Sequence, residues 1–190
     1  MMRVAKLVSP TGEFLCILRD ASNTGVRIQV FHEIPGEKSL RLEMPNGARY
    51  EVELVWERDS HAGLRFLNPV EILQVVNDPG AHGKRPVRLA VQLPALISSS
   101  GLSSPVVIRN LSQHGAGIEC PTHLALAQKL RLESDALPQL QATVRWRKDN
   151  DYGLSFDQTF RFDELARLVA KLQFSQGDSD VPQLEGLRFV

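Results

Sequence analysis

The chain has 190 residues, 43% hydrophobic and 23% charged, which excludes a disordered or fibrous protein. Its 22 basic and 22 acidic side chains cancel, which argues against a general nucleic-acid binder. Two cysteines, Cys16 and Cys120, are too few for a disulfide scaffold, and no apolar run reaches the ~18 residues of a membrane span, so free thiols in a reducing, cytoplasmic compartment are expected, with no membrane insertion.

The opening stretch MMRVAKLVSPTGEF (1–14) lacks a long apolar core, which predicts no secretory signal. After it come VRIQV (26–30), SLRLEM (39–44) and RYEVELVW (49–56). Each alternates apolar with polar residues, the two-residue period of a strand with one buried face. Asn46-Gly47 between the last two is a hairpin signal. PVEILQVVN (69–77) reads as a short helix, and the Gly- and Pro-bearing NDPGAHGK (77–84) as a domain boundary. Beyond a basic segment KRPVR (84–88), further strands are expected at VQLPALI (91–97), VVIRN (106–110), GIEC (117–120), KLRLES (129–134), LQATVRW (140–146) and YGLSF (152–156). SSSGLSS (98–104) and KDND (148–151) supply turns between them. FDELARLVAKLQF (162–174) is the one clear amphipathic helix, with Phe162, Leu165, Leu168, Val169 and Leu172 on one face and Asp163 and Glu164 in its first turn. The tail 175–190 opens polar and turn-rich.

A repeat at an offset of 90 residues organises these elements. ILRDASNTGVRI (17–28) lies over VIRNLSQHGAGI (107–118), LRLE (40–43) over LRLE (130–133), and GLRF (63–66) over GLSF (153–156). The only two tryptophans, Trp56 and Trp146, fall in register, as do Asp59 and Asp149. The chain therefore encodes one domain twice, and short strands at this spacing predict small antiparallel barrels, which close to hide their edges. The alternation of their strands reads both tryptophans as core or barrel-closing residues.

The halves differ in charge. Residues 1–77 carry a net −1 and residues 84–175 a net +4, so an anion prefers the second half. Lys84, Arg85 and Arg88 concentrate three cations in five residues beside the glycines of the linker. Asn110, Ser112 and Gly115 follow in NLSQHG (110–115). The first copy has the matching DASNTG (20–25) but only Arg3 and Lys6 upstream of it. Asn, Ser and Gly at such spacing also shape turns, so part of the motif's role is expected to be structural. Cys120 and His123 are too few for a metal site, and no nucleophile–base set or paired carboxylates emerge, so no enzyme is expected.

On these marks, from KRPVR through VQLPALI, NLSQHG, VRW (144–146) and GLSF to the C-terminal helix, the second copy resembles a PilZ domain over roughly residues 84–174. The resemblance implies a bacterial protein with two tandem six-stranded antiparallel barrels: an all-β fold with short helices and a C-terminal helix on the second barrel. The implied division is a degenerate PilZ-like barrel (1–77), a linker and basic ligand loop (78–88), a PilZ domain (84–174) and a tail (175–190). It also implies a ligand, cyclic di-GMP, with no cofactor and no metal. Lys84 and Arg88 stand for the family's Arg-x-x-x-Arg, with lysine in the leading place and Arg85 beside it. Asn110, Ser112 and Gly115 stand for Asp/Asn-x-Ser-x-x-Gly. The expected function is a receptor that changes its interdomain arrangement on binding and so regulates a protein partner, with the first domain serving contact or homodimerisation. The alternative is a protein–protein adaptor that has lost nucleotide binding; an RNA- or DNA-binding barrel and a hydrolase fit less well.

Overall fold

The structure, a computed structural model, describes residues 2–34, 36, 40–71 and 86–177. Twelve strands form two closed six-stranded antiparallel barrels. The first comprises β1 (Arg3–Ser9), β2 (Gly12–Ala21), β3 (Gly25–Gln29), β4 (Leu40–Glu43), β5 (Arg49–Arg58) and β6 (His61–Phe66), in the order β1-β2-β3-β6-β5-β4. The second repeats that order with β7 (Leu89–Ser99), β8 (Leu102–Ser112), β9 (Gly115–Glu119), β10 (Lys129–Ser134), β11 (Leu137–Lys148) and β12 (Asp151–Phe156). The strand β1 and the length of β2 extend beyond the alternating runs read from sequence.

Alternation builds both cores. In β7 the residues Leu89, Val91, Leu93, Ala95 and Ile97 point inward while Ala90, Gln92, Pro94 and Leu96 are exposed. Each fully buried Leu or Ile contributes about 1.5–3 kcal/mol relative to exposure. The repeat extends to irregularities. Bulges fall between Leu18 and Asp20 and between Leu54 and Trp56 in the first barrel, and 90 residues later between Ile108 and Asn110 and between Val144 and Trp146. At each hairpin following the tryptophan, Asp59 (φ 51°) and Asp149 (φ 53°) adopt the left-handed conformation that aspartate tolerates. The Asn46-Gly47 turn is present, with Gly47 at φ 87°.

The helix α1 (Phe162–Gly177) runs three residues beyond the predicted end and touches both barrels. Leu165, Ala166 and Val169 join the core of the second barrel, Ala170 that of the first. Phe162 meets Phe31 with ring centroids 5.5 Å apart, and Phe174 meets Phe14 at 5.4 Å. The helix is thus shared between the barrels and does not belong to the second alone. Residues 72–77 of the predicted first-copy helix, the linker 78–85 and the tail 178–190 lie outside the described residues.

Cys16 and Cys120 are free and fully buried, and burial pushes the Cys16 thiol up to about 12. A thiolate cannot form there at neutral pH. Native protein is expected to take up no thiol reagent at pH 8 within minutes, and two equivalents per chain after denaturation. A colorimetric thiol count reads this directly. No helix among the described residues is long and apolar enough to cross a membrane.

Candidate functional site

The motif of the second barrel occupies the end of β8 and the start of β9. Three glycines, one asparagine and one tryptophan give this stretch its outer face. Cross-strand pairing places Ala90 opposite Asn110, Asn110 opposite Gly117, Gly117 opposite Gly153, and Gly153 opposite Trp146. A single row of outward positions therefore crosses five strands. The next outward row holds Ser112, Gly115, Ser155 and Thr143. Apart from Asn110 and Trp146, the residues along both rows carry small side chains or none.

The glycines are required by contact. A Cβ on Gly117 would meet Asn110 Nδ2 at 2.4 Å, so the asparagine amide lies across Gly117. A Cβ on Gly153 would meet Trp146 Nε1 at 1.9 Å, so the indole lies flat on Gly153. Trp146 remains 40% exposed and Trp56 38%. Of the expectation that the tryptophans are core or barrel-closing residues, this corrects the core placement. The bulge at Val144/Trp146 sets two residues against one, shifts the two-residue phase, and turns the indole outward.

Ser112 and Gly115 make the turn before β9. Ser112 is only 5% exposed, and its hydroxyl donates to the Gly115 carbonyl at 3.1 Å. Ser22 does the same to Gly25 in the first barrel at 3.2 Å. Gly115 is present for close approach, since a Cβ would lie 2.0 Å from the Leu154 carbonyl oxygen. Gly25 repeats this against Leu64. The serine and glycine of the motif thus do the same structural work in both copies. What differs is the wall beyond them: Arg27 stands at the place of Gly117 and Arg65 at that of Ser155, with Arg65 paired to Glu53. A groove of about 500 Å³ over the first barrel is lined by Asp20, Ser22, Arg27, Trp56, Gly63 and Arg65.

Of the three expected cations, Lys84 and Arg85 lie outside the described residues. Arg88 is exposed and lines a crevice of about 530 Å³ between the barrels, with Lys6, Glu43, Pro86 and Val87. It forms no hydrogen bond or ion pair with the described residues. It stands two residues before Ala90, the partner of Asn110, so the strand entry brings it beside the wall without placing it on the wall. His114 is exposed at a second interbarrel crevice, also lined by Arg3, Gln113, Val87 and Phe162. Gly117, Gly153 and Trp146 escaped the motif reading. Stepping by two from Gly115 reaches Gly117, and comparing the copies at an offset of 90 sets Gly117 against Arg27, so the signal was there. No group of three or more His, Cys, Asp or Glu among the described residues could hold a metal.

The model of the PilZ domain family matches residues 84–174. No curated protein matches the chain. Among solved structures, it is similar to the Borreliella burgdorferi PlzA protein in complex with c-di-GMP, at 14% identity and TM-score 0.36, covering 90% of this chain and 87% of that one. It is similar to the Bacillus subtilis inhibitor of motility at 14% identity and TM-score 0.39, covering 94% and 98%. It is also similar to Escherichia coli YcgR in complex with c-di-GMP, at 12% identity and TM-score 0.35, covering 93% and 86%. The second barrel, with the helix that follows it, is therefore a PilZ domain spanning residues 84–174.

Proposed function

We propose that the chain is a cytoplasmic cyclic di-GMP receptor without enzymatic activity, whose second barrel takes the ligand and whose barrels rearrange to control a protein partner. The observation that carries this reading is the row Ala90–Asn110–Gly117–Gly153–Trp146. A guanine is a flat ring, and this wall offers it the Asn110 amide laid over Gly117 and the part-exposed indole laid over Gly153. Phosphodiesters want forked cationic donors, which arginine supplies bidentately. Arg88 leaves the barrel beside the wall, and in sequence Lys84 and Arg85 precede it. A guanidinium also fits the guanine O6/N7 edge. Since these cations sit where the chain passes between barrels, drawing them onto a ligand changes the connection between the two bodies.

Calorimetric titration of the full chain with micromolar cyclic di-GMP tests this. Heat of binding and a raised melting temperature are expected; neither appearing removes the reading. Arg88→Ala is expected to weaken binding at least tenfold, about 1.4 kcal/mol. Unchanged affinity in that variant would show that Arg88 is no clamp.

The second reading, an adaptor without nucleotide binding, is favoured by the internal use of the Ser112 hydroxyl and by the position of Arg88 on the side of Lys6 and Glu43. A wild-type chain that binds nothing, with Lys84→Arg restoring binding, would decide for it.

A further inference from the structure

The start of β7 has an open edge. β10 pairs with β7 only from Leu96 to Ser98, so it does not reach Leu89 and Ala90. A bulge between Ala90 and Leu93 also loosens this end from the rest of the ladder with β8. An open edge leaves backbone donors and acceptors that must find partners elsewhere. At Ala90 both partners come from outside the second barrel. Glu13 Oε2, on β2 of the first barrel, accepts the Ala90 N–H at 2.6 Å. Gln173 Nε2, on α1, donates to the Ala90 carbonyl at 2.8 Å.

Both grips are themselves held. Glu13 Oε1 accepts from Lys6 Nζ at 2.9 Å, and Lys6, only 11% exposed, lies 3.6 Å from Glu43. Gln173 is 6% exposed and rests against Gly12, where a Cβ would come 2.4 Å from Gln173 Oε1. Gly12 has φ 155°, a conformation that side-chain-bearing residues rarely adopt, so glycine is needed there twice over.

We propose that Glu13, a first-barrel residue, is a positioning residue for the ligand wall of the second barrel. Ala90 faces Asn110 across the ladder and follows Arg88 by two residues, so whatever fixes Ala90 fixes one end of the wall and the direction in which Arg88 departs. The first barrel, whose own wall is filled by arginines, thereby contributes to the site next door. The proposal rests on the receptor reading of the second barrel.

The test is a titration of the full chain with cyclic di-GMP, with melting temperatures measured in parallel. Glu13→Ala is expected to weaken binding at least fivefold. Glu13→Gln is expected to stay within twofold of wild type, since the amide oxygen still accepts the Ala90 N–H. A Glu13→Ala protein that melts earlier but binds with wild-type affinity would overturn the proposal and leave Glu13 as a bolt between barrels. Equal losses in the Gln and Ala variants would overturn it too, because the acceptor would not be what matters. If Glu13→Ala fails to fold, Gln173→Ala removes the other grip on Ala90 and is expected to weaken binding at least twofold, unchanged affinity overturning the proposal. A wild-type chain that takes up no ligand defeats the receptor reading itself, an outcome distinct from all of these.

Discussion

Gly117→Arg is expected to weaken cyclic di-GMP binding at least 100-fold, about 2.8 kcal/mol, in a protein that still folds. The first barrel supplies the argument for folding. It carries Arg27 at the equivalent place on β3, exposed and opposite Asp20, in a ladder otherwise like that of the second barrel. The three atoms nearest a Cβ at 117 all belong to the far end of Asn110, a flexible amide that can move aside. Thermal unfolding of the variant should therefore stay within about 3 °C of wild type, a shift worth ~1 kcal/mol in a chain of this size.

The binding side sets two effects against each other. A new cation beside a doubly phosphorylated ligand is attractive, by about 1 kcal/mol for a unit charge at 4 Å in water-like surroundings. The same side chain stands up from the wall against which a flat base would lie and pushes aside the Asn110 amide. If shape dominates, affinity collapses; if the site were only an electrostatic sticker, affinity would rise. Tighter binding by Gly117→Arg would thus refute the wall as the seat of recognition. The converse change, Arg27→Gly, opens the first wall but leaves it without a preceding basic cluster, so no second binding event is expected from it.

The tandem barrels were legible because alternation records which face of each strand is buried, and because the two copies retain enough identity at LRLE, GLRF/GLSF and the tryptophans to align without a gap. The direction of the tryptophans was not legible. A bulge is a property of the ladder between two strands, and nothing local in VRW announces that Arg145 is the extra residue. The motif residues were found, but their division of labour was not. Ser112 and Gly115 look like ligand groups in sequence and act as turn closers in space, as Ser22 and Gly25 do. Gly117, which distinguishes the copies chemically, lay two positions past the motif's end. The placing of α1 also eluded sequence. Its apolar stripe predicted one buried face, whereas Ala170, Gln173 against Gly12, and Phe174 engage the first barrel as well, through a small residue, a polar one and an exposed-looking aromatic. Long-range grips such as Glu13 on Ala90, 77 residues apart, leave no periodic trace at all.

Gly115→Ala carries the largest expected cost in stability, about 3 kcal/mol. The new Cβ would sit 2.0 Å from the Leu154 oxygen and 3.1 Å from its carbonyl carbon. Those are backbone atoms of β12, which is laddered to β9 on one side and β11 on the other, so neither can swing away as a side-chain tip would. Relief requires moving β9 itself. That loosens the Gly115 pairing with Ser112 and Ser155, together with the nearby bonds in which the His114 and Gln113 carbonyls accept the Phe156 and Phe160 amides at 2.9 and 3.0 Å. In a chain of this size the loss corresponds to a melting temperature lower by roughly 6–12 °C. Gly36→Ala is the control, since a Cβ there meets none of the described residues within 4 Å and the expected shift is close to zero. Gly25→Ala in the first barrel should follow Gly115→Ala in kind, its Cβ meeting the Leu64 oxygen at 2.4 Å. If Gly115→Ala melted with wild type yet failed to bind cyclic di-GMP, the glycine would be present for the ligand, and the assignment of the serine–glycine turn to structure would be wrong.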